Sequence, residues 1–141
     1  MDATVAFEAK AIFQMKEVVR FVIELRTVSR QKARLLAYAA LNKKAHDPVI
    51  LDLHGLSNLT DLFLIVSGRT DVQVRAILQE LQRICREERY AIHHSEGEQA
   101  SSWVLLDLGD VVVHIFRQSE REFYDLERLW HQAPRISLSR S

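Results

Sequence analysis

Several short stretches of the chain carry side chains able to do chemistry. Ser67-Gly68 lies between an apolar run and a helix start, where backbone amides and the helix dipole can receive a phosphate. Phosphate loops normally add further glycines or a lysine at fixed spacing, and here Gly68 stands alone, so a turn followed by a helix cap is the simpler reading. Asp107 and Asp110, with Asp52 on a neighbouring strand, have the chemistry to hold a divalent cation for phosphoryl transfer. They bracket Leu108-Gly109, however, and two aspartates around a tight turn need not converge. His93, His94 and Glu96 invite a metal reading, but adjacent strand residues point to opposite faces and the two imidazoles would not share one ion. His114 sits inside an apolar strand with no nucleophile beside it, and Cys85 falls on the apolar face of a helix as an inert buried thiol. Trp103 differs, because an indole at a strand start beside Glu96 and Glu98 has the character of a protein-binding anchor rimmed by carboxylates, with core packing as the alternative.

These residues need elements to position them. Ala11, Met15, Val18, Val22 and Leu25 recur at helical spacing and predict an amphipathic helix over residues 5–28, with Phe13 and Phe21 off the stripe and directed at a second surface. Ser29 is placed to cap a second helix reaching Lys44, with Ala33, Leu36, Ala37 and Ala40 as its apolar stripe. Residues 49–53 and 62–66 are continuous apolar runs of strand length, as expected of central strands covered by helices on both faces. Thr70 and Gln73 have capping-box spacing before a helix through about Glu88. Strands follow at 90–95, 103–107 and 111–116, the last two joined at Leu108-Gly109. A second capping-box spacing at Ser119 and Glu122 opens a helix whose apolar face is Phe123, Leu126 and Trp130. The expected architecture is an α/β (α+β) domain with one mixed sheet of about five strands flanked by helices. It divides into a helical extension over 1–28, a compact domain over 29–134 and a frayed tail over 135–141.

Composition narrows the function classes. A 16.3 kDa chain, 48 % hydrophobic and 27 % charged with a mean hydropathy of −0.10, has room for one domain and an appendage, and can bury a core without staples. One cysteine forms no intramolecular disulfide and fits a reducing, cytoplasmic setting, and no apolar run approaches membrane-spanning length. The 19 basic and 19 acidic residues cancel, which argues against a dedicated nucleic-acid binder. Every lysine lies before residue 45, so the remainder is acidic and suits a basic partner.

Taken in order, Asp52-Leu53-His54-Gly55-Leu56-Ser57, Thr60-Asp61-Leu62-Phe63, Ser67-Gly68 and Thr70 resemble the ribosomal silencing factor family, RsfS or Iojap-like. Glu96-Gly97, Trp103, the run Leu106 to His114 and the run Arg121 to Trp130 resemble that family's strand, hairpin and closing helix. The resemblance covers about residues 29–134. It implies a fold similar to nucleotidyltransferases without their active site, no enzymatic activity and no cofactor or metal. It further implies binding to the large ribosomal subunit through its ribosomal protein fourteen, blocking subunit association and lowering translation when nutrients are scarce. Trp103, Leu105, Asp107, Asp110, His114 and Tyr124 are the partner-facing or face-supporting positions carried over from it. Residues 1–28 have no counterpart in the short bacterial members. A transit peptide would be poorer in acids, so a bacterial cytoplasmic protein is expected over an organellar one. The family's self-association suggests that the helix carrying Phe13 and Phe21 reinforces a homodimer. Two other readings stay open: a nucleotide- or phosphate-handling enzyme using Ser67-Gly68 with Asp107 and Asp110, and direct RNA binding through Arg75, Arg83 and Arg86.

Overall fold

The computed structural model describes residues 3–139, so the outermost positions of the expected extension and tail, 1–2 and 140–141, lie outside the described residues. The two N-terminal helices expected from the pattern are one, α1 (Ala3–Asn42), 40 residues and about 60 Å long. Ser29 does not cap a helix. Its hydroxyl lies 3.1 Å from the Leu25 carbonyl one turn back and donates to Asp110 Oδ2 at 2.6 Å, so it is satisfied inside a continuous helix. The helix stops where Lys44 turns to a left-handed φ of 63° and the Ala45 amide reaches back to the Ala40 carbonyl.

The strands are β1 (His46–Asp52), β2 (Leu62–Gly68), β3 (His94–Glu96), β4 (Trp103–Asp107), β5 (Val111–Arg117) and β6 (Arg135–Ile136). They form one mixed sheet in the order β3-β4-β5-β2-β1-β6, with β2 and β5 parallel at its centre and the other pairs antiparallel. The expected mixed sheet is present with six strands instead of about five. The added strand comes from the stretch expected to fray: Arg135 and Ile136 pair with β1, and the carbonyls of Ser137 and Leu138 accept from Arg34 and Tyr38 of α1. The strand expected over 90–95 is shorter and later, because pairing with β4 begins only at His94.

Between β2 and β3 lies α2 (Asp71–Glu88), where the Thr70 hydroxyl accepts from the Gln73 amide at 3.2 Å. The reciprocal arm of the box reaches one residue further out, since Gln73 Oε1 accepts from the Arg69 amide. The second capping box does not form. Strand β5 runs straight into α3 (Gln118–Tyr124) with Arg117 at the cap position, leaving Ser119 and Glu122 already within the helix. Asp125, at a φ of 46°, ends α3 and starts the single turn α4 (Leu126–Leu129). That break rotates Leu126 and Trp130 away from Phe123, so the three share no face and Phe123 is 80 % exposed.

Strand alternation sorts the sheet into two sides. Ile50, Leu62, Leu64, Val66, Val104, Leu106, Val111, Val113 and Ile115 pack beneath α1 and α2 in a fully buried aliphatic core with Ala33, Leu36, Ala40, Ile77 and Leu81. On the other side Leu51, Ile65 and Phe116 are buried, while Phe63, Trp103, Leu126 and Trp130 are only partly covered. Helices were expected over both faces, but the second has only the short α3 and α4 at one end.

An aromatic, acid-rimmed sheet face as the candidate site

The half-covered face brings together five of the six candidate residues. Trp103, Leu105 and Asp107 alternate along β4 and point to this side, as does His114 of β5, which stands opposite Leu105 in the antiparallel register. Tyr124 at the end of α3 leans on Trp103, with ring centroids 4.7 Å apart. Asp110 is placed elsewhere. It turns toward α1, where it accepts from the Ser29 hydroxyl and from Lys32 Nζ at 3.0 Å. Burial pushes the Asp110 carboxyl up, but those two donors outweigh it and hold the group below the usual carboxylate range. It clamps helix to hairpin on the opposite side of the sheet.

Aromatic packing organises the face. The Trp103 indole stacks on Phe116 at 4.9 Å, and its Nε1 donates to His114 Nδ1 at 3.0 Å. An imidazole accepting at Nδ1 is neutral, with its proton on Nε2. Burial enforces the same state by lowering the His114 pKa to about 4. His114 in turn stands edge-on to Phe63 at 4.5 Å, and Phe63 stands edge-on to Trp130 at 6.0 Å. Between these rings lies a concavity of about 320 Å³, whose walls include Phe63, Leu105, Val112, His114 and Trp130. Its rim carries Asp107 and Glu96, the latter 2.7 Å from His94 Nε2.

Phe63 and Val112 were not singled out by the sequence pattern. Val112 shares the alternation of His114 and was legible in principle; Phe63 joins them only because β2 pairs in parallel with β5, setting Phe63 beside Val112 and Ile65 beside His114. The loop before β2 closes the concavity with Ser57, Leu59 and Thr60.

The other candidate chemistries are dispersed. Asp107 and Asp110 diverge, and Asp52 is 3.2 Å from Arg30 and 3.4 Å from Arg26. Ser67 is fully buried, donating to Gln118 Oε1 and accepting from Arg121 Nη1, and a side chain on Gly68 would meet Gln73 and the Val74 amide at 3.2 Å. Cys85 is buried, which pushes its thiol up. Among the described residues no three His, Cys, Asp or Glu side chains are grouped to hold a metal ion, and no helix is long and apolar enough to cross a membrane.

One sheet with a sealed aliphatic side and a partly open aromatic side defines a small α+β protein whose second sheet face holds an acid-rimmed concavity. A family model described as "Ribosomal silencing factor during starvation" matches residues 26–141, and the chain belongs to that family, RsfS. It is 44 % identical over 112 residues to the ribosomal silencing factor RsfS of Halalkalibacterium halodurans, covering 79 % of this chain and 96 % of that protein. It is 43 % identical over 105 residues to the RsfS of Bacillus subtilis, covering 74 % and 89 %. A crystal structure of the Chromobacterium violaceum protein CV0518 superposes with a TM-score of 0.69 at 32 % identity, over 79 % of this chain and 92 % of that one.

Proposed function

We propose that this protein acts in a bacterial cytoplasm as a ribosomal silencing factor. It binds the large ribosomal subunit through ribosomal protein fourteen by its aromatic sheet face and sterically blocks joining of the small subunit. The action lowers translation under nutrient limitation and needs no catalysis or cofactor. The observation that carries the reading is the half-covered face itself, an apolar concavity framed by Phe63, Leu105, His114 and Trp130 and rimmed by carboxylates, on a chain of this family. Recognition surfaces take their affinity from a desolvated aromatic and aliphatic centre, while rim charges steer and orient the partner. Asp107 and Glu96 suit a basic ribosomal surface, Leu105 and Trp103 supply the centre, and His114 and Tyr124 hold Trp103 in place. Asp110 supports the fold and is left outside the contact.

Co-sedimentation with isolated large and small subunits, and with a subunit-joining mixture, tests this. The expected result is selective binding to large subunits with fewer joined ribosomes. Trp103→Ala and Asp107→Lys should weaken that binding while circular dichroism stays native. Leu105→Lys, at a half-exposed position outside the Trp103 hydrogen bond, guards against a folding defect in the first variant. Native affinity in all three would remove the face from the mechanism. A melting temperature raised by millimolar nucleotide with magnesium would instead favour a phosphate-handling activity.

A further inference from the structure

Among the described residues, one buried side-chain polar atom finds no hydrogen-bond partner within the protein, and it is Nε2 of His114. The opposite ring nitrogen fixes its chemistry. Trp103 Nε1 donates to Nδ1 at 3.0 Å, which puts the ring proton on Nε2 and makes that atom a donor. Burial lowers the pKa of the imidazole to about 4, which keeps the ring in this neutral form at neutral pH. Buried donors are nearly always paired, because an unpaired one costs the fold its full desolvation. His114 also lines the concavity between Phe63, Leu105, Val112 and Trp130. The polar groups beside it are engaged. Thr60 Oγ1 donates to the Leu62 carbonyl at 3.4 Å, Ser57 Oγ accepts from the Leu59 amide at 3.1 Å, and Asp107 Oδ1 accepts from the Gly109 amide at 2.8 Å.

We propose that this concavity takes in a peptide segment of a basic protein, one of whose uncharged carbonyl oxygens accepts from His114 Nε2. An arginine or lysine of the same segment meets Asp107 and Glu96 at the rim. That the protein belongs to the large ribosomal subunit rests on the silencing reading above; the chemistry of the contact does not. Three observations select this occupant. A neutral Nε2–H donates and cannot accept, so the group that meets it is an acceptor. The two rim carboxylates repel an anionic acceptor, which rules against carboxylate and phosphate oxygens and leaves the carbonyl of a peptide unit or a side-chain amide. The walls are aliphatic and aromatic, so a carbonyl seated there is out of water and its bond to the imidazole is strengthened.

Access runs past Phe63. Nε2 is shut off from solvent, and Phe63 is the ring nearest to the imidazole, at 4.5 Å between centroids against 5.9 Å for Trp103 and 6.1 Å for Phe116. Phe63 is itself only partly buried and lines the same concavity, so its ring can turn outward and let the oxygen in. Trp103 is then a positioning residue. Its indole N–H is used inside the face, on Nδ1, and holds the imidazole in the one neutral tautomer that offers a donor at Nε2. Without that hydrogen bond the ring proton is free to move to Nδ1, and Nε2 becomes an acceptor facing the partner's carbonyl.

Nitrogen-15 NMR of the full chain at pH 7, with N-acetyl-leucyl-arginine amide added to tens of millimolar, tests the contact. The free protein should show His114 protonated at Nε2, and the peptide should move that proton downfield and leave the Trp103 indole proton in place. N-acetyl-leucyl-glutamate amide should leave both where they were. In Trp103→Phe the imidazole should become a mixture of tautomers and the peptide shift should shrink, which a packing role alone for Trp103 would not produce. A free protein with the proton on Nδ1, or an Nε2 proton that the arginine peptide does not move, overturns the subsite. On purified large subunits, His114→Met, which keeps bulk and a weak acceptor for Trp103 without a donor, should bind about tenfold more weakly. His114→Gln, which keeps a donor, should recover most of that loss. Native affinity in His114→Met overturns the subsite, and so does equal loss in both variants, since packing alone would then account for it. A wild-type chain that binds neither subunit removes the silencing reading, and the peptide alone then decides the subsite.

Discussion

The two faces of the sheet are built from the same strands by the same alternation, yet they are finished differently. Beneath α1 and α2 the side chains that the central strands contribute are Leu, Ile and Val, and every one of them is buried. On the other side the residues in the same strands are Phe63, Trp103, Leu105, His114 and Phe116, and a short broken helix covers only one end. Long helices bury an aliphatic layer because each turn contributes a side chain to a continuous stripe. The aromatic face is stabilised instead by ring contacts and one indole-imidazole hydrogen bond, which leave a concavity open. The contrast separates a layer sealed from solvent from one whose outer side chains, Phe63, Trp103 and Leu105, stay partly open over buried His114 and Phe116.

The largest break in that contrast should come from the sealed side. Leu36→Ala, at a position with no solvent exposure, is expected to cost about 2–5 kcal/mol by leaving a cavity under α1, read as a shift in urea midpoint, while the folded fraction keeps its affinity for large subunits. Next comes acid titration of the open side. An exposed histidine takes up its proton near pH 6.5, but His114 in the folded chain does so only near 4. The unfolded state therefore binds the proton first, and stability that is complete above pH 6.5 falls as pH drops toward 4, by up to about 3 kcal/mol at about 1.4 kcal/mol per pH unit. Chemical denaturation at pH 7, 5.5 and 4 measures it; His114→Gln, which can still accept from Trp103, should flatten the slope, and an unaltered slope would show that another group is responsible.

A smaller effect sharpens the assignment of the two aspartates. Asp110→Asn weakens the clamp to Lys32 and should cost about 1–2 kcal/mol with no change in subunit binding, whereas Asp107→Lys should weaken binding at a smaller stability cost, from loss of the bond its Oδ1 accepts from the Gly109 amide at 2.8 Å. Binding lost in Asp110→Asn at full helicity would place that carboxylate in the contact after all. The smallest belongs to the outer face of α2, where half-exposed Arg83 bridges exposed Glu87 and the more covered Glu80, which keeps Lys43 as a second partner. Arg83→Ala should leave the thermal midpoint unmoved and binding intact, since exposed pairs of this kind contribute little. A change in ribosome affinity there would revive the RNA-binding reading.

Much of the fold is legible in the residues. Helical spacing locates α2 and the stripe of α1, capping chemistry starts α2 at Thr70, and β-branched density marks β5. The boundaries that went astray have identifiable physical causes. Ser29 resembles a cap, but its hydroxyl finds Asp110, 81 residues away, so nothing interrupts α1. Ser119 has cap spacing too, yet β5 delivers the chain into α3 before it. Arg135 and Ile136 are unremarkable alone and become a strand because β1 offers an unpaired edge.

Local pattern alone therefore determined the element types, the amphipathic stripe of α1 and the alternation that puts Trp103, Leu105 and Asp107 on one side of β4. These depend on neighbours within a few residues, where side-chain direction follows directly from backbone geometry. Only the tertiary structure decided that Asp110 turns away from Asp107, that Phe63 joins His114 through the parallel β2–β5 register, and that one face of the sheet stays open. Those outcomes rest on strand order and long-range pairing, where contacts between distant residues select among arrangements that local sequence leaves equivalent.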